Sequence, residues 1–452
     1  MTDVDYRWPS AAQAWLDLPA DLRADLVAAG AGSWREIFDG RATYNKQWRL
    51  ARPPVMDETT LGVLNAICDR LAQLLFEAGR RRAGTAGELR RLLGVPDGET
   101  RLLDDAEPLS DRLLAAFRPD VLLSDGVPRV VEYNIDSSLG GAFDADTTVR
   151  RFVDVYRRRG LTDRARLEPA PSAVDLRFAA IRSGLALPDG ARVAMLIDFD
   201  AEYPGLDDPE RFFRLLSPVV ERAAVHGLDL VITPVSQVTR DSSGRLVARG
   251  APVDGVFRLF VPNRVTPSAG VDALEAAVRA GSVPMWVSAA AWLIANKQVF
   301  AWLWDDADDL PAADRDLVHR YVPRTWSLTS DLVDRAVADR HDLVAKPADG
   351  SAGVDVLIGR ETDADTWRDG VGRFAARGGF VLQSYVKADD VPLDFVHIET
   401  GETVSADVPY SVAPYLFGRR PAGACIRTGF PGCDGVLNLA RGVLLSGLLV
   451  VD

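Results

Sequence analysis

Sulfur is scarce in this chain, with three cysteines and four methionines in 452 residues. Cys68, Cys425 and Cys433 are odd in number, only the last two are close in sequence, and none has the spacing of a metal knuckle. That excludes a disulfide scaffold and fits free thiols in a reducing cytoplasm. His226, His319, His341 and His397 likewise lack metal-ligand spacing and read as structural or surface groups. The acidic start Met1-Thr2-Asp3-Val4-Asp5 is not followed by the apolar core of a secretion signal. Gly442 to Val451 is too short to span a bilayer and is expected to close the fold as a buried strand or helix. Basic residues are in deficit, 52 against 65 acidic ones, for a formal charge of −13. Such a chain repels a phosphate backbone, so neither nucleic acid nor membrane is an expected partner.

What is present is the composition of a folded protein, 47% hydrophobic and 26% charged, with no repeat and no low-complexity linker. The length calls for two or three subdomains. From Ser10 to about Asp120 the pattern is helical, with Leu61, Leu64, Cys68, Leu71 and Leu75 on one stripe. Arg80-Arg81-Arg82 reads as a solvated helix end or an anion site. Val121 to Leu123 and Arg129 to Tyr133 read as a hairpin, because Asp125-Gly126 is a tight-turn signal. Val193 to Ile197, a helix from Pro209 to His226 stopped by Gly227, Leu230 to Thr233 and Val256 to Phe260 then alternate as a parallel unit. No G-x-G-x-x-G follows its first strand, which excludes a dinucleotide site there. Thr239 to Gly250 looks like a polar excursion.

After residue 290 come a helix headed by Asn296-Lys297 with core aromatics Phe300, Trp302 and Trp304, and strands at Leu343 to Ala345 and Val354 to Ile358. A helix from Asp363 to Ala376 and a strand from Phe380 to Val386 follow. This order is antiparallel α+β. The expected fold class is therefore mixed α/β and α+β. Its divisions are an N-terminal helical region over 1–117, a hairpin with connecting helices over 118–190, a Rossmann-like subdomain over 191–290 and a last region over 291–452.

Three segments carry chemistry. Glu132 and Asn134 stand two apart on a strand, so both leave on one face, and with Asp120 they supply the hard oxygen ligands that suit magnesium. Lys346-Pro347-Ala348-Asp349 leads into Gly350, Ser351, Ala352 and Gly353. This is not a G-x-x-x-x-G-K-[ST] loop, but small residues let backbone amides approach phosphate while Lys346 neutralises it. The same turn after a lysine also occurs in ordinary sheets. Gln383, Tyr385 and Val386 end a strand where backbone groups can read an adenine edge, or where a buried strand simply stops. Arg427 is suited to steady a transferred phosphoryl group, or to form a surface salt bridge. Asp394 and Asp407, on expected late strands, are weaker candidates for polar lining.

Taken in order, Arg118-x-Asp120, Glu132-x-Asn134, Asn296-Lys297, Lys346-Pro347 with its glycine turn and the Gln383 strand resemble the synthetase domain of glutathionylspermidine synthetase, a branch of the ATP-grasp superfamily. As in that branch, the acidic motif precedes the lysines, a permuted order. The resemblance implies an ATP-grasp fold with a Rossmann-like subdomain before it, and an ATP-dependent ligase joining a small carboxylate to a small amine. It further implies magnesium on Asp120, Glu132 and Asn134, ATP phosphates on Lys297 and Lys346, and a lid at Gly350 to Gly353. Adenine would lie near Gln383, Tyr385 and Val386, and Arg118 and Arg427 would act on the phosphorylated intermediate. A non-catalytic ATP-binding protein and a phosphotransferase are the other uses of such a site. The family has Thr and Pro after its Asp, where this chain reads Asp136-Ser137-Ser138-Leu139-Gly140-Gly141, so glutathione and spermidine are not carried over. No amidase domain is expected.

Overall fold

A computed structural model describes residues 17–32, 45, 47–97, 101–161, 168–202, 209–350, 354–433, 437 and 442–451. At its centre lies a seven-stranded antiparallel sheet organised by one long strand, Thr403–Phe417. Along one edge this strand pairs first with Asp390–His397, up to Pro409, and then, from Ser411 onward, with Ala116–Ser124. Its other edge carries Arg420–Thr428 and, beyond that, Leu444–Ser446. Ala116–Ser124 turns back into Val127–Ile135 as a hairpin. Asp125 and Gly126 both have positive φ, 51° and 70°, the two-residue turn whose twist matches the strands it joins. The Asp389 carboxylate accepts both turn amides at 2.9 Å, which fixes the hairpin tip to the sheet.

Alternation along the hairpin gives it two unlike faces. Val130, Tyr133 and Ile135 are buried, and the Tyr133 hydroxyl donates to the Cys68 carbonyl at 2.6 Å. Cys68 belongs to the Glu58–Arg80 helix, capped by Asp57, whose stripe Leu61, Leu64, Cys68, Leu71 and Leu75 is buried as the spacing predicts. The region before residue 118 is not purely helical, however. Trp48–Leu50 pairs with Phe395 to His397, and Val55–Asp57 with Leu449–Val451. Such short strands are made by distant partners, and local periodicity does not register them.

The parallel unit has the order Met285–Trp286, Gly255–Leu259, Ala191–Ile197, Leu228–Pro234. Val193, Met195 and Ile197 pack on one side while Ala194 and Leu196 enter a separate cluster on the other, as a strand covered on both faces requires. Two expectations need correction here. The helix read over Pro209 to His226 is two helices, Pro209–Leu215 and Ser217–Val225, broken at Leu216 before Pro218. The polar excursion after Thr239 is a small antiparallel sheet of Thr239–Arg240, Leu246–Ala248 and Ala251–Pro252.

A second antiparallel sheet runs Thr325–Ser327, Phe380–Ser384, Leu343–Pro347, Leu357–Ile358, with the Ala364–Arg377 helix packed on it through the fully buried Trp367. The strand expected from Val354 is only Leu357–Ile358. Ser351, Ala352 and Gly353 lie outside the described residues. Among the described residues, no helix is long and apolar enough to cross a membrane.

Candidate active site

The polar face of the hairpin forms one wall of a cavity of about 130 Å³. Register sets Asn134 opposite Arg118 and Glu132 opposite Asp120, so all four share that face. The other walls are the start of the Lys297–Asp305 helix, the Ala348 to Gly350 turn, the Ser138 to Gly140 loop, and Asn263 and Trp292 from the parallel unit's side.

Cations surround the two carboxylates. Arg427 reaches across the central strand and donates to Asp120 Oδ2 at 2.7 Å, while Arg118 Nε lies 3.7 Å from Asp120 Oδ1. Burial alone would raise the Asp120 carboxyl, but the Arg427 and Arg118 guanidiniums, with Lys297 behind them, hold it below the usual carboxylate range. Lys297 follows the Asn296 cap, and its Nζ stands 3.4 Å from Glu132 Oε2 and donates to the Gly350 carbonyl at 2.7 Å. Its backbone N–H also donates to Ala348 O at 2.7 Å, so the helix start and the glycine turn are joined twice.

Lys346 sits one layer deeper, donating to the Val131 carbonyl at 3.1 Å and to Gln383 Oε1 at 2.8 Å. Burial, reinforced by the Lys297 charge and only partly offset by Glu132 and Asp120, brings its ammonium down to about 8. Gln383 is locked from the other side, its Nε2 donating to Thr325 Oγ1 at 3.0 Å.

The residues singled out from the sequence thus divide. Arg118, Asp120, Glu132, Asn134, Lys297, Lys346, Gly350 and Arg427 converge. Gln383 joins them through Lys346, but its backbone is flanked by Thr325 and Val344 within the sheet. The N–H groups of Ser384 and Tyr385 are taken by Arg324 and Asp342 carbonyls. A backbone edge for adenine therefore does not fall at Gln383 or at the Tyr385 amide. The Tyr385 ring carries Arg360 at 3.8 Å, and Val386 follows outside the strand. Asp394 pairs with Arg52 and Ser405 away from the cavity, and Asp407 is exposed. Arg81 and Arg82 bind Asp306, so that basic helix end is neither an anion site nor merely solvated.

No group of three His, Cys, Asp or Glu suited to a metal occurs among the described residues. Two carboxylates and one amide nevertheless fit a magnesium ion that keeps water and phosphate for its other positions. Asp120 Oδ1 is buried without a hydrogen-bond partner, and the Asn134 Nδ2 donates to the Arg118 carbonyl, which turns its oxygen the other way.

Three supports escaped the sequence reading. Asp136 forms a two-pronged pair with Arg258, at 3.0 and 2.8 Å, that ties the hairpin to the parallel sheet. The charge inside the apolar run Val256-Phe257-Arg258-Leu259-Phe260 was the available signal. Arg118 and Tyr415 both donate to Gly140 O, at 2.8 and 2.6 Å, and Arg177 donates to Leu139 O at 2.6 Å. These hold the loop after the hairpin. Burial lowers Arg177 to about 10.

No protein-family model and no curated protein matches the chain. Among solved structures, a glutathione synthetase-like effector from Globodera pallida, in its apo form, matches with TM-score 0.59 and 11% identity over 95% of this chain and 96% of that one. A gamma-glutamylcysteine synthetase-like protein from Methylobacillus flagellatus matches at TM-score 0.42 and 11% identity over 86% and 87%. D-alanyl-alanine synthetase A from Vibrio cholerae matches at 0.28 and 15% over 51% and 68%. The first of these establishes a fold, and the other two are too loose to add to it. This chain has a mixed helix-and-sheet fold, shared over nearly its whole length with a glutathione synthetase-like protein.

Proposed function

We propose that the chain is an ATP-dependent ligase that joins a small carboxylate to an amine. The observation that carries this reading is one cavity under the glycine turn lined by Arg118, Glu132, Asn134 and Lys297, with Asp120, Arg427 and Lys346 behind that lining. These seven residues come from five stretches of sequence and stand at or just behind that cavity.

Lys297 and Lys346 bind the ATP phosphates beside the Ala348 to Gly350 turn. The substrate carboxylate oxygen attacks the γ-phosphorus, the bond to the β-phosphate oxygen breaks, and ADP departs. The acyl phosphate so formed is attacked at its carbonyl carbon by the amine nitrogen. Phosphate leaves with the C–O electron pair, and the amine gives up a proton. Arg118 and Arg427 steady the negative charge of the transferring group, and Asp120 holds both guanidiniums in place. Magnesium held by Asp120, Glu132 and Asn134 would offset charge on the phosphate oxygens. Exclusion of water from the occupied cavity protects the acyl phosphate from hydrolysis.

The test is release of ADP and phosphate from Mg-ATP, with mass detection of products, across paired acids and amines. Amide formed in equal amount with ADP and phosphate supports the ligase. A stable phosphorylated product would instead mean phosphotransfer, and failure to bind nucleotide would overturn the reading.

A further inference from the structure

The cavity has a wall that phosphate chemistry leaves unused. It is formed by Asn263 and Arg264 of the Pro262–Arg264 turn and Trp292 of the Ala291–Ile294 helix, which line the same cavity as Glu132 and Asn134. Two polar atoms on these elements, Asn263 Oδ1 and Trp292 Nε1, are buried and have no hydrogen-bond partner among the described residues. Trp292 is 7% exposed. Unpaired buried donors and acceptors oppose folding, and native proteins keep few of them without a use. One of these two is an obligate donor and the other an acceptor.

Their position in the fold points the same way. The Pro262–Arg264 turn lies just past the carboxyl end of Gly255–Leu259, the neighbour of Ala191–Ile197 in the parallel sheet. The strand order sends the chain from Ala191–Ile197 to one side, into Leu228–Pro234, and brings it back on the other side into Gly255–Leu259. The crevice beyond the carboxyl ends at such a switch point is where open parallel sheets take ligands. A cavity of about 130 Å³ suits a molecule of a few heavy atoms, since about 150 Å³ holds benzene.

We infer that Asn263 and Trp292 recognise the polar end of an amino-acid-sized substrate, a reading that rests on the ligase function above. The Trp292 indole N–H donates to a carboxylate or carbonyl oxygen of that end, and the Asn263 amide oxygen accepts from its ammonium or amide N–H. The reacting group then lies toward Glu132 and Asn134. Simple fatty acids and alkylamines, which lack the paired donor and acceptor, are discriminated against because they leave both wall atoms unpaired.

The experiment is calorimetric titration of the full chain with the twenty amino acids, and with acetate, propionate, butyrate and the matching alkylamines. Each is run alone and with a non-hydrolysable ATP analogue and magnesium. At least one amino acid is expected to bind with 1:1 stoichiometry, and its affinity to fall about tenfold in Trp292→Phe and again in Asn263→Leu. Affinity for the ATP analogue should stay unchanged in both variants. Binding of no amino acid above the simple acids and amines, or equal amino-acid affinity in wild type and both variants, overturns the inference. Failure of the wild type to bind the analogue counts against the ligase reading instead, because that binding is assigned to Lys297 and Lys346 and not to Asn263 or Trp292. Thermal melts of the variants separate a folding defect from a lost contact.

Discussion

Lys297 Nζ stands 3.4 Å from Glu132 Oε2, so the first lysine of the site and a carboxylate expected to face metal already form a pair. The same ammonium holds the Gly350 carbonyl. Replacing Lys297 with Met should weaken ATP binding by about 2 kcal/mol, roughly thirtyfold, the scale of a hydrogen bond to a charged group. Glu132 keeps a quarter of its side chain exposed and can be hydrated, so the melting temperature should change little. Nucleotide titration and a thermal melt on the same protein check both halves, and unaltered ATP affinity would remove Lys297 from the site.

Arg427 and Asp120 are closer together, at 2.7 Å with side-chain exposures of 15% and 19%. An Arg427→Met protein leaves the carboxylate with Arg118 and the more distant Lys297, and should lose about 3 kcal/mol of stability at neutral pH. The pH dependence has a definite sign. Because the folded-state carboxyl is held low, the pair stabilises above the ordinary aspartate pKa and fades as pH falls through the lower, folded value. Without Arg427 the carboxyl titrates higher and its burial cost is relieved by protonation. Urea unfolding should therefore show a smaller gap between variant and wild type at pH 4 than at pH 7.

How far the sequence revealed this arrangement depends on the range of each interaction. Glu132 and Asn134 share a face because strands repeat every two residues, and Asp125-Gly126 closes their hairpin by its own backbone preferences, so both were legible locally. The sheet they join was not. Strands at Asp394 and Asp407 were expected and are present, but the organising role of Thr403–Phe417 was hidden by Pro409 and Pro414, which read against a central strand. The chain accommodates the second of these where pairing with Arg420–Thr428 slips between Pro414 and Leu416. Trp48–Leu50 exists only because it pairs with residues near 396, far along the chain. Within the site, residue types were legible and partners were not. Nothing in the spacing says that Arg427 reaches Asp120, or that Gln383 spends its side chain on Lys346 and Thr325.

The Asp136–Arg258 pair gives a prediction about assembly rather than chemistry. Arg258 is completely buried and joins the parallel sheet to the hairpin's end. Removing one partner leaves an uncompensated charge, so Asp136→Asn should cost about 3–5 kcal/mol. Replacing both, as Asp136→Leu with Arg258→Met, should recover a large part of that loss, since apolar groups carry no desolvation penalty. Chemical denaturation of Asp136→Leu, Arg258→Met and the double variant completes the cycle. Simple additivity would mean the two residues are not energetically coupled.

Lys346 supplies a prediction that can be read without knowing any substrate. Its ammonium titrates near 8 in the ligand-free protein because burial and Lys297 outweigh the nearby carboxylates. A phosphate placed beside it favours the charged form, so nucleotide binding should raise that value and draw a proton from solution. At pH 8 the uptake should be about half a proton per nucleotide, falling toward zero at pH 6, where the lysine is already charged. Above pH 8 each binding event must also recharge the lysine, so affinity should fall as pH rises. Calorimetry of ATP binding in two buffers of different ionisation enthalpy measures the uptake directly. Lys346→Met should abolish that proton while leaving any uptake by other groups in place. If wild type and variant took up the same number of protons at pH 8, Lys346 would not be a phosphate ligand.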